Sequence, residues 1–102
     1  MLVVPLQAVP SQKVAVTLAN QVCQIAVYQK LSGLYVDLYV NNVLIVGGVI
    51  VENLNRIVRD AYFGFIGDLA FFDTQGTDDP VFSGLGGRFG LAYLEAADLS
   101  AA

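Results

Sequence analysis

The 102-residue chain predicts a mainly β fold, about seven short antiparallel strands in a small barrel or sandwich. Three observations carry that expectation. Hydrophobicity alternates with a period of two through most of the sequence, most cleanly in "LYVDLYV" at 34–40, and this period places successive side chains on opposite faces of a strand. Turn residues recur about every ten positions, the spacing of hairpin-linked strands. A chain of this length can also bury a core without metals or disulfides, so one β domain over 1–102 is expected.

The elements follow in order. Residues 1–12, "MLVVPLQAVPSQ", form an apolar N-terminal arm broken by Pro5 and Pro10; without a basic leading region it does not read as a signal peptide. "KVAVTL" is the first strand, and Ala19-Asn20 a tight turn into "QVCQIAVYQ", where Cys23, Ile25 and Val27 share one face. The turn "KLSG" leads to "LYVDLYV", with Leu34, Val36, Leu38 and Val40 toward a core and Tyr35, Asp37 and Tyr39 outward. Asn41-Asn42 suits a two-residue type I′ hairpin, because Asn tolerates positive φ. "VLIVGGVIV" returns as the partner strand, and Gly47-Gly48 within it signals a bulge, a bend or a close backbone approach. Residues 52–58 allow one short helix. "AYFGFIG" and "DLAFFD" read as strands turning at Gly67-Asp68, "TQGTDDPVFSGLGG" as a long loop, "RFGLAYLE" as the last strand, and 95–102 as a frayed tail.

Composition narrows the function. Charged residues are 14% of the chain, against about 25% in ordinary soluble domains, while 56% are hydrophobic. Apolar surface in such excess marks an interaction surface, so a place inside a larger assembly, in several copies, is expected. The net charge is −4 and the five cations are scattered, which provides no basic stripe for nucleic acid. The nine-residue run Val43 to Val51 is too short for a spanning helix and lacks the alternation of a membrane β-strand. It reads instead as a strand covered on one face by its own core and on the other by a neighbouring subunit or the N-terminal arm. Ile45 and Val46 are the positions assigned to that outer cover, and with Tyr35, Asp37 and Tyr39 they form the candidate partner-facing set.

Catalytic and metal chemistry find little to work with. The chain has no histidine, which removes the commonest general base and metal ligand. The single cysteine, Cys23, sits mid-strand among apolar neighbours and reads as a core thiol of a reducing cytoplasm. The carboxylates Asp37, Asp68, Asp73, Asp78, Asp79 and Glu95 lie mostly in turns or on outward faces, which gives a hydrolase reading weak footing. "DTQGTDDP" lacks the alternating ligand spacing of a calcium loop, and "GLGG" lacks the spacing and following helix of a phosphate loop. No metal, cofactor or catalytic group is expected. The tyrosines leave one binding alternative open: Tyr28, Tyr35 and Tyr39 could stack a sugar, as a carbohydrate-binding β-domain, or simply pack across strands.

From Pro5 to Leu94 the order of elements resembles the baseplate plug proteins of cyanophages and other contractile-tailed phages. The resemblance rests on "PLQAVPSQKVAVTLANQ", on "YQKLSGLYVDLYV" with its aromatic-x-Asp-Leu strand, on the return strand and loop "NNVLIVGGVIVENLNRIV", and on "GDLAFFDTQGTDDPVFSGLGGRFGLAYL". It departs from the family pattern at Tyr35, where tryptophan is commoner, and at Asn41-Asn42, where Asp-Gly is; both replacements keep the aromatic anchor and the turn. The resemblance implies a non-enzymatic virion protein, a plug at the centre of the tail baseplate. There it would bridge hub and spike with the tube, after synthesis in the host cytoplasm.

Overall fold

The computed structural model describes residues 2–58 and 65–95. Seven strands are found there: β1 (Leu2–Val4), β2 (Ser11–Leu18), β3 (Gln21–Lys30), β4 (Gly33–Val40), β5 (Val43–Ile50), β6 (Asp68–Asp73) and β7 (Phe89–Leu94). They form two antiparallel sheets, a four-stranded one in the order β2-β3-β4-β5 and a three-stranded one in the order β1-β7-β6. The arrangement is sandwich-like.

The large sheet is a meander built by local chemistry. Ala19 and Asn20 have φ of 49° and 62°, and Asn41 and Asn42 have 52° and 66°. These are the paired positive φ values of type I′ turns, whose twist matches the flanking strands. Each turn fixes its register: Leu18 faces Gln21, and Val40 faces Val43. With register fixed, the period-two pattern decides the faces, and Cys23, Ile25, Val27, Leu34, Val36 and Leu38 are all buried. Burial raises the pKa of the Cys23 thiol, which keeps it protonated.

The small sheet completes the core. β6 pairs with β7 through Leu69↔Tyr93 and Phe71↔Leu91, and these four side chains join Val4 and the inner face of the large sheet in one hydrophobic cluster. Phe71, Leu69 and Leu91 have no exposed surface. The N-terminal segment contributes more than an arm: Leu2–Val4 pairs with β7, and Leu6 packs where Gly86, at φ +80°, leaves no room for a Cβ against the Leu6 carbonyl. Its described partners include β7, Gly86, Gln29 of β3 and Gln12 of β2, whose side-chain amide bonds both the N–H and the carbonyl of Gln7.

Two expectations are corrected. The barrel alternative fails, because β5 and β6 do not pair to close the sheet. The helix expected near 52–58 is also absent. These residues run irregularly along β6, where Leu54 and Ile57 donate their N–H groups to the carbonyls of Phe71 and Leu69 at 2.9 and 2.8 Å. Asn53 N–H bonds Asp79, and the Ile57 and Val58 N–H groups, which a helix would use internally, go to the Leu69 carbonyl and the buried Asp68 instead. The strand expected over "AYFGFIG" falls largely outside the described residues, and Phe65 to Gly67 are not strand. The tail expected over 95–102 lies outside them too, apart from Glu95.

Asp73 anchors the loop after β6. Its carboxylate, with no exposed surface, takes a bidentate pair from Arg88 at 2.8 Å for each bond and accepts N–H bonds from Gln75 and Asp78. Arg88 also reaches Asp78 at 2.8 Å. The Arg88 guanidinium and these amides hold the Asp73 carboxyl well below the usual carboxylate range.

Candidate partner-binding face

The outer face of the large sheet is laid out by the strand registers. One row across it reads Ser11, Tyr28, Tyr35 and Ile50. The next reads Lys13, Ala26 and Asp37, and the third Ala15, Gln24, Tyr39 and Leu44. The sequence-predicted Tyr35, Asp37 and Tyr39 therefore share one face with Tyr28, as period two requires.

Asp37 is the hub of this face. Its Oδ1 accepts the Tyr28 hydroxyl at 2.8 Å and the Gly48 N–H at 2.6 Å. The second bond explains the two glycines. Val36 pairs with Val49 and Leu38 with Val46, so Gly47 and Gly48 together oppose the single residue Asp37. Gly48, at φ +64°, turns its N–H out of the ladder onto the carboxylate. Tyr28 is correspondingly held as the protonated donor: burial and the bond to Asp37 raise its pKa.

The aromatic rings are occupied. Tyr28 and Tyr35 stack with centroids 6.1 Å apart and planes 17° from parallel, and the Lys30 ammonium lies 5.5 and 5.4 Å from their centroids. Lys13 covers Tyr39 at 4.6 Å, and the Tyr35 hydroxyl bonds Ser32. This makes a braced, partly charged surface with its tyrosine faces covered by lysine.

A second irregularity shifts the register again between Leu38 and Tyr39, leaving Ile45 as the extra residue between Val46 and Leu44. It decides which apolar groups of β5 face outward. Val46 pairs with Leu38 on the core side, and Ile45 and Val46 are both half-buried against the core cluster. Leu44 pairs with Tyr39 and stands outward, 52% exposed; Ile50, opposite Tyr35, is exposed on the same face, Val43 is exposed opposite Val40, and Val22 of β3 is 56% exposed beside the Asn41-Asn42 turn. Sequence reasoning missed Leu44, Val43, Ile50 and Val22. The double glycine signals one bulge, but nothing in "VLIV" marks the second.

The other carboxylates are engaged locally. Asp68 serves the Val58 and Leu69 amides, Asp73 and Asp78 serve Arg88, and Asp79 serves Asn53. Among the described residues no group of three or more His, Cys, Asp or Glu side chains converges as a metal site would need. No described helix is long and apolar enough to cross a membrane. Across the molecule, the outer face of the small sheet holds a shallow apolar depression lined by Leu54, Ala70, Phe72, Ala92 and Leu94.

Among curated proteins nothing matches. The family model of the cyanophage baseplate Pam3 plug gp18 matches residues 1–96, nearly the whole chain, and the protein belongs to that family of baseplate plugs.

Proposed function

We propose that the protein is a non-enzymatic structural component of a phage particle, a plug at the centre of the tail baseplate that bridges the hub and spike with the tube. The family match over residues 1–96 is the observation that carries this reading. The surface supports it. On its outer face Leu44 and Ile50 of β5 and Val22 of β3 stand exposed, on a sheet whose tyrosines and Asp37 are fixed in place. A rigid face with an apolar rim suits permanent contact with other tail subunits. Tyr35, Asp37 and Tyr39 supply its polar centre; Leu44 replaces Ile45 and Val46 as the apolar contact, since those two turn toward the core.

The sugar-binding alternative has less behind it. A stacking platform needs an open ring face, and the lysine ammonium groups already lie over Tyr28, Tyr35 and Tyr39.

Co-expression with the hub, spike and tube proteins of a phage that encodes the chain tests the reading. Leu44→Lys should leave the isolated chain folded, because Leu44 is exposed, while abolishing co-purification with its baseplate neighbour. Unchanged co-purification of Leu44→Lys and of Ile50→Lys would remove this face from the assembly.

A further inference from the structure

Two open sheets have four edges, and three of them are blunted among the described residues. The free edge of β6 is bonded by Leu54 and Ile57, β1 is three residues long, and β5 is broken by two register shifts. The edge of β2 differs. Its eight residues pair one-to-one with β3 without a shift, and no proline lies within it.

The direction of its hydrogen bonds follows from the turn. A two-residue type I′ hairpin makes Leu18 and Gln21 the hydrogen-bonded pair, so Leu18, Val16 and Val14 bond β3. The Pro10 carbonyl, accepting from Gln29 N–H at 2.8 Å, is in the same phase. Ser11, Lys13, Ala15 and Thr17 therefore aim their N–H and C=O groups away from the sheet, and none of these groups bonds elsewhere among the described residues. A lysine in an edge strand ordinarily keeps other strands away. Here the Lys13 ammonium is drawn inward over Tyr39, two strands from the edge.

We infer that this edge receives β2 of a second copy of the chain, antiparallel about a two-fold axis centred on Ala15. That register places hydrogen-bonding residue against hydrogen-bonding residue, as an antiparallel ladder requires. It is complementary in charge and size. Lys13 meets Thr17 of the second copy, Ala15 meets its equivalent, and Val14 meets Val16 of the second copy on the core side; no like charges oppose. Val14 and Val16 are half-buried at the margin of the core, and the added strand extends their cover. A strand pair alone buries less than the ~1,200 Å² of stable complexes, so the dimer is weak and dissociates on dilution. The inference rests on edge geometry and is independent of the plug reading.

Light scattering on the full chain across a dilution series tests it. The wild type should rise with concentration from the 10.9 kDa chain mass to about twice that. Ala15→Lys adds a charge at an exposed position that its own fold tolerates, and sets two lysines opposite each other across the axis. It should stay at the single-chain mass, and an equal mixture with Ala15→Glu should recover the doubled mass. Hydrogen exchange at the dimeric concentration should slow at the Lys13, Ala15 and Thr17 amides. A wild type that stays at the single-chain mass throughout, or a dimer indifferent to Ala15→Lys, overturns the inference.

Discussion

Asp37→Ala is the sharpest probe of how the outer face is held. The substitution removes the acceptor shared by the Tyr28 hydroxyl and the Gly48 N–H, at 2.8 and 2.6 Å. Hydrogen bonds to a charged group contribute roughly 1.5–3 kcal/mol each, but this carboxylate is half-exposed and water can replace part of both. About 2 kcal/mol in total is the resulting expectation. In a domain near 100 residues, 1 kcal/mol moves Tm by about 4–8 °C, so thermal unfolding should fall by roughly 8–16 °C. Asp37→Asn keeps an acceptor oxygen and should lose about half as much. Hydrogen exchange separates a local from a diffuse effect: the Gly48 amide should exchange up to roughly thirtyfold faster, while β3 core amides such as Ile25 follow only global stability. A Tm within about 2 °C of wild type, with Gly48 exchange unchanged, would refute Asp37 as the pin of the bulge.

Further outcomes follow from the core and the loop. Phe71→Ala empties the centre of the core, where Phe71 has no exposed surface, and should cost about 3–5 kcal/mol in denaturant unfolding. That is enough to leave much of the protein insoluble at this size. For Asp73 the sign is set by its depressed pKa: the unfolded chain binds the proton first, so its contribution is present above the ordinary carboxylate pKa of about 4 and is lost as pH falls below it. Wild type and Asp73→Asn should therefore differ most in Tm at neutral pH and converge below about pH 4; a constant gap down to strong acid would contradict this.

The elements legible in the sequence are those whose cause is local. Ala19-Asn20 and Asn41-Asn42 announce their turns because positive φ is a demand on the residues themselves, and once the turns fix register the alternation in 21–40 assigns every face. Leu2–Val4 carries no such signal; three residues become a strand only by pairing with β7. The helical spacing in 52–58 is overridden from a distance, by carbonyls of β6 and by Asp68 and Asp79, which no local window contains. The candidate face divides the same way. Tyr35, Asp37 and Tyr39 follow from period two, whereas the exchange of Ile45 and Val46 for Leu44 as the outward group needs the second register shift of β5.

The central claim is that the chain is a part of the virion, and mass spectrometry of purified particles tests it most directly. The account predicts its peptides in intact particles, retained in isolated tails together with the hub, spike and tube proteins. Particles free of the chain, from cells that make it in abundance, would contradict the claim.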